Sequence, residues 1–154
     1  MDAPASFILR CMEPADYPVV YALWERIQGF ALRSVDDSQE YVERFLQRNP
    51  TTSVVAEVDG RVVGSILCGH DGRQGSFYHV CVDQQHRKLG IGRAMVRFCL
   101  SALAQEGISK ATLIAFDNNK GGNAFWQRIG WTPRQDFNSY EFLLNEENIT
   151  RYVN

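Results

Sequence analysis

Apolar positions along this chain fall into two spacings, and the places where one replaces the other outline a mixed α/β fold. Phe7, Ile8 and Leu9, inside Ser6 to Met12, form a short apolar run that predicts a first strand. Asp16 then stands where a helix cap belongs, with Pro18 in the first turn. Val19, Val20, Leu23, Trp24 and Ile27 follow at helical spacing, so this helix should pack on a sheet. Gly29 to Val35 reads as a break. A second helix is expected from about Asp37 to Gln47, with Tyr41, Val42, Phe45 and Leu46 as its stripe and Asn49-Pro50 as its stop. Val54 to Val58 and Arg61 to Cys68 form a hairpin pattern across Asp59-Gly60, and Asp71-Gly72 turns the chain into an apolar strand, Phe77 to Val82. The next helix carries Ile91, Ala94, Met95, Phe98, Cys99, Ala102 and Leu103 on one face and closes at Gly107. A strand from Ala111 to Phe116, a short helix and a final strand near Ser139 to Leu144 complete the expectation.

The junction between the strand ending at Val82 and the helix after it carries the chemistry. It reads Asp83-Gln84-Gln85-His86, then Arg87-Lys88-Leu89-Gly90-Ile91-Gly92-Arg93. Paired glycines let a backbone turn tightly and approach a bulky anion. The free N–H groups and dipole of the helix that starts there favour phosphate. Arg87, Lys88 and Arg93 add full charge at the same point. The pattern describes a diphosphate cradle, and it is neither common nucleotide loop. No Gly-Lys-Ser/Thr occurs for a P-loop. After Gly90 and Gly92, Met95 stands where a dinucleotide fingerprint needs Gly or Ala, and no acidic residue ends the Ala111 to Phe116 strand to take a ribose hydroxyl.

Composition narrows the classes further. The chain has 154 residues, 45% hydrophobic and 22% charged, which suits one domain across 1–154 with a sizeable core. A formal net charge of −2 argues against a generic nucleic-acid binder. No apolar stretch approaches the ~20 residues of a membrane span. Met1 to Phe7 lack the basic and apolar regions of a secretion signal, so none is expected. Cys11, Cys68, Cys81 and Cys99 form no C-x-x-C pair and sit in apolar segments. They read as buried free thiols in a reducing cytosol, and no metal site is expected.

Val80-Cys81-Val82-Asp83 followed by Arg87-Lys88-Leu89-Gly90-Ile91-Gly92-Arg93-Ala94 resembles the first motif of the GNAT superfamily of N-acetyltransferases, an apolar strand followed by Arg/Gln-x-x-Gly-x-Gly/Ala. Asn119, then Phe125-Trp126-Gln127-Arg128-Ile129-Gly130-Trp131, resembles the second. Gly69-His70-Asp71-Gly72-Arg73 is similar to a stretch of small stand-alone bacterial members. The resemblance covers essentially the whole chain. It implies a mixed, mostly antiparallel sheet flanked by helices, with a splayed central strand pair: acetyl-CoA would lie along the motif strand, and the strand next to it would splay away to make room for substrate. It also implies transfer of acetyl to a primary amine of a small molecule or peptide, with a homodimer as an open expectation. Carried over by position, backbone groups of Val80 and Val82 would hold the pantetheine arm. Those from Lys88 to Arg93, with Arg87, Gly90 and Gly92, would hold the pyrophosphate. Asn119 would reach the arm from the other side, or cap a helix.

The catalytic positions depart from the family pattern. Trp126 stands where many members have a tyrosine that protonates the departing thiolate, and an indole N–H is no practical acid. Ile114 stands where enzymes acting on protein N-termini often have a glutamate. The motif strand offers Tyr78 and His79 as bases, and His79 has the better intrinsic pKa for neutral work. Strand alternation would send these two to opposite faces, so at most one would point at the substrate. A bulge that the resemblance implies for this strand would change which one does. His70, in a turn, reads as structural, and Tyr140 is a weaker candidate donor. Residues 28–40, on the acceptor side in the family, mix Arg33 with Asp36, Asp37 and Glu40, which suits either substrate contact or a solvated helix start. The missing tyrosine and glutamate also leave open a domain that binds or senses acyl-CoA without turnover.

Overall fold

The computed structural model describes residues 6–27 and 29–153. The residues before Ser6, read above for a secretion signal, and Gln28, at the head of the acceptor-side segment, lie outside the described residues. The main sheet has five strands in the order β1 (Ile8–Cys11), β3 (Val54–Val58), β4 (Arg61–His70), β5 (Gly75–Val82) and β6 (Ala111–Leu113). Its neighbours run antiparallel except β5 and β6, which are parallel. A separate pair joins β2 (Ala31–Arg33) to β7 (Thr150–Tyr152). Helices α1 (Tyr17–Arg26) and α2 (Gln39–Arg48) cover one face, and α3 (Ile91–Gln105) and α4 (Lys120–Arg128) belong to the other side. The fold is α/β with a mostly antiparallel sheet flanked by helices.

Strand alternation divides the core. Along β3, Val54, Ala56 and Val58 point to the α3 side, where Ile66, Phe77, Ile91, Met95, Cys99 and Leu103 meet them. Val55 points the other way, onto Leu23, Trp24, Val42 and Leu46 of α1 and α2. Each fully buried large side chain of this kind contributes roughly 1.5–3 kcal/mol. Trp24 is wholly buried, and its indole N–H donates to Ser65 Oγ at 3.2 Å, so burial leaves no polar atom stranded there.

The hairpin of β3 and β4 turns as the sequence predicts, with Asp59 at φ 51° and Gly60 at φ 75°, the two positive values of a type I′ turn. At the end of α3, Gly107 N–H donates to Ala104 and Ile108 N–H to Leu103, a Schellman close. Ser38 caps α2 by accepting from the Tyr41 N–H.

Several expectations change: β6 ends at Leu113 rather than Phe116, and Cys11 is only partly buried. Asp16 precedes α1 but makes no side-chain cap to it. Its carboxylate instead grips Arg10 at 2.7 and 2.8 Å and accepts the Glu13 N–H at 2.8 Å, because a guanidinium fork outcompetes a single amide. The break after α1 contains β2. The final strand is Thr150–Tyr152 rather than Ser139 to Leu144, where Tyr140, Phe142 and Leu144 stand 89%, 87% and 94% exposed. A polar anchor redirects the chain: Asn148 Oδ1 accepts from the Val35 and Asp36 N–H groups, and Ile149 N–H donates to Ser34 Oγ. With the chain tied there, the following residues pair with β2.

Candidate active site

The site begins with an irregularity in β5. Ser65 pairs with Cys81 but Leu67 pairs with Tyr78, so His79 and Val80 together face Ile66. This is a β-bulge, and His79 takes its extra turn at φ 50°. The bulge breaks the alternation expected from sequence. Tyr78 sits edge-on to Phe45 of α2 at 6.0 Å, and His79 packs between Trp24 and Phe30 at 4.7 and 4.9 Å. Both side chains therefore lie on the α1–α2 side, while Phe77, Val80 and Val82 pack against the α3-side core. The opposite-face expectation is corrected: one inserted residue restores the same facing to its neighbour.

Past the bulge, β5 has a free edge. The Asp83 N–H donates to Val63 O at 2.7 Å, so by alternation the backbone groups of Val80 and Val82 face away from β4. β6 pairs only with Gly75 to Phe77, which leaves those groups on an open gap. Arg87 Nε reaches into it and donates to Val82 O at 3.4 Å.

The cradle lies at the end of that gap. Asp83 Oδ1 accepts the Gln85 N–H at 3.0 Å, and Arg26 holds its Oδ2 at 3.0 Å. These bonds, the backbone one first, hold the Asp83 carboxyl below the usual carboxylate range. Lys88 at φ 64° and Gly90 at φ 83° then fold the loop into the start of α3. The Ala94 N–H donates to Gly90 O, and among the described residues no side chain caps the helix; the N–H groups of Ile91, Gly92 and Arg93 have no intrahelical acceptor. Arg87, Lys88 and Arg93 are exposed around them. At Gly92 a Cβ would come 3.4 Å from Phe125 of α4, so side chains there crowd the space between the helices. A cavity of about 660 Å³ runs alongside, lined by Phe30, Arg87, Phe116, Asn119, Tyr152 and Val153 among others. An open strand edge leading to free helix N–H groups and basic side chains fits a long thioester arm that leads to a diphosphate.

Other candidates separate clearly. Asn119 caps α4, its Oδ1 accepting the Gly122 N–H at 3.0 Å, while the side chain also borders the cavity. Trp126 is locked among Phe77, Phe125 and Trp131 at centroid distances of 6.3, 5.1 and 4.9 Å. Ile114 is 89% exposed. His70 ties the end of β4 to Glu106 beyond α3, a structural clasp. Cys81, beneath Trp24, has its thiol pushed by burial up to about 11, so it offers no thiolate nucleophile. Arg33 pairs with Asp36 at 2.9 Å. The contact that sequence reading missed is Asp37: its Oδ1 lies 2.6 Å from His79 Nε2. No local pattern could have linked residues so far apart.

Comparison with known proteins agrees with this fold. Residues 17–131 match the acetyltransferase (GNAT) family. An acetyltransferase of Pectobacterium atrosepticum is 31% identical over 121 residues, covering 79% of this chain and 84% of its own length. One from Sodalis glossinidius is 32% identical over the same coverage. Among solved structures, a predicted acetyltransferase from Clostridium acetobutylicum determined with acetyl-CoA superposes with a TM-score of 0.70 at 15% identity, over 92% of this chain and 100% of that one. The fold is that of an acyltransferase family that uses acetyl-CoA. The chain belongs to the GNAT acetyltransferase family.

Proposed function

We propose that the protein is an acetyl-CoA-dependent N-acetyltransferase acting on a primary amine of a small molecule or peptide, built as one domain across residues 1–154 and working in the cytoplasm. The observation that carries this is the free β5 edge at Val80 and Val82, which leads from the His79 bulge to the uncapped N-terminus of α3. Bound acetyl-CoA supplies the activated acyl group. The chain does the rest. Val80 and Val82 orient the arm through main-chain bonds, and the N–H groups at Ile91 to Arg93, with Arg87 and Lys88, neutralise the diphosphate. His79, on the same face as Tyr78, removes a proton from the acceptor amine, directly or through water. Tyr78 lines the acceptor side. Trp126 holds α4 in place.

A second reading, acyl-CoA binding without turnover, is favoured by the packed Trp126 and by the lack of a carboxylate at Ile114. A screen of amines with thiol-release detection, run beside calorimetry with acetyl-CoA, separates the two. Binding with amine-dependent thiol release supports the enzyme; binding with none across amino acids, polyamines and peptides supports the sensor.

A further inference from the structure

Asp37 and His79 are brought together across the acceptor side of the sheet. The Asp37 side chain is 9% exposed, its Oδ2 accepts the Arg33 N–H at 2.7 Å, and its Oδ1 meets His79 Nε2 at 2.6 Å. The Tyr17 hydroxyl donates to the Asp37 carbonyl at 2.8 Å, which fixes the same turn to α1. Trp24 and Phe30 clamp the imidazole from two sides. A carboxylate only accepts, so the hydrogen of the neutral imidazole belongs on Nε2 and the lone pair on Nδ1. Nδ1 makes no hydrogen bond among the described residues and is not sealed from solvent.

We propose that Asp37 is the positioning residue of the acetyl-transfer site, holding His79 in the tautomer whose Nδ1 takes the proton of the acceptor amine. The inference rests on the amine acetylation proposed above. In the step itself one proton moves from the ammonium nitrogen to Nδ1. The N–H electron pair stays on the amine, and the new imidazolium charge faces the Asp37 carboxylate. No other bond changes. Neither residue type is remarkable in its own segment; the bulge that turns His79 toward α1 makes the pair.

Asp37→Asn tests it without changing shape. The Arg33 N–H can only donate, so it keeps the amide oxygen. The amide nitrogen then faces Nε2 and also only donates. Nε2 must become the acceptor, and the hydrogen moves to Nδ1, where no lone pair remains for the amine. Nitrogen-15 NMR of the imidazole should read an Nε2–H tautomer in the wild type and Nδ1–H in Asp37→Asn. The variant's kcat should fall ~10²-fold or more with little change in KM. A wild-type Nδ1–H tautomer overturns the proposal even if the variant does not fold, and so does a folded, flipped variant with unchanged kcat. If the wild type shows Nε2–H and the variant flips it while no amine is acetylated by either, the Asp37–His79 coupling stands and the acetyltransferase reading falls.

Discussion

His79 holds a left-handed backbone conformation that costs a side chain with a Cβ roughly 1–2 kcal/mol, and the bulge keeps it there. Substitution must respect that cost. Alanine would mix a backbone effect with loss of the imidazole, whereas asparagine tolerates the left-handed region. His79→Asn should therefore keep the fold, read as an unchanged thermal midpoint within a few degrees, and lower kcat ~10²-fold or more. Tyr78→Phe should cost much less, and Trp126→Phe should keep most of the activity because an aromatic ring still fills the slot. Steady-state kinetics that rank these three otherwise would reassign the proton transfer. A second residue-scale test concerns Asp16. Its hydrogen bond from Arg10, helped by the Glu13 N–H, lowers its carboxyl pKa. A depressed folded value means that the stabilisation is present above the unfolded carboxylate pKa and is lost as pH falls through the folded one. Asp16→Asn should cost about 1 kcal/mol at neutral pH after solvent screening, and the difference should vanish in strong acid. Urea midpoints measured across pH check both ends.

At the scale of elements, the loop into α3 depends on two left-handed residues, and only one is glycine. A Cβ at Gly90 would meet no neighbouring atom, but the valine of Gly90→Val cannot hold φ 83° cheaply, so it should misplace the helix N-terminus. Acetyl-CoA affinity should then fall tenfold or more by calorimetry, with Lys88→Ala milder because an exposed charge is screened. An unchanged affinity in folded Gly90→Val would move the diphosphate elsewhere. These elements were legible because their signals are local. Asp59-Gly60 states its own turn, and Arg87 to Gly92 states its own junction. The bulge was not legible in the residues themselves, since Tyr78-His79-Val80 reads as an unbroken strand; the family resemblance raised one, and only pairing with β4 places it. Nor was the last strand: Ser139 to Leu144 has strand-like composition, but the side chain of Asn148 finds its partners on the loop after β2. Asp37 illustrates the same limit, for its carboxylate could serve a helix start, a substrate or a histidine until the fold chose.

For the molecule as a whole, β2 and β7 form a second small sheet that closes the cavity beside the main one, through Gly29 N–H to Val153 O and Val153 N–H to Phe30 O. Deleting Glu146 to the C-terminus removes Tyr152 and Val153 from the cavity wall, and Val153 from the margin of the α1–α2 core, but leaves the α3-side core its residues. The truncated protein should bind acetyl-CoA within a few-fold of the intact chain, while kcat/KM for the amine falls tenfold or more through lost positioning. Calorimetry and kinetics on the same preparation measure both. The bond from Ile149 to Ser34 spans 115 residues of sequence. Polypeptides emerge N-terminus first, and contacts of such separation form late because the loop between them must close. A ribosome-bound chain can complete the cradle at Arg87 to Arg93 well before its last strand is made. The chamber beside that cradle gains its last wall only once β7 has been made, so a product cut short before β7 would lack that wall.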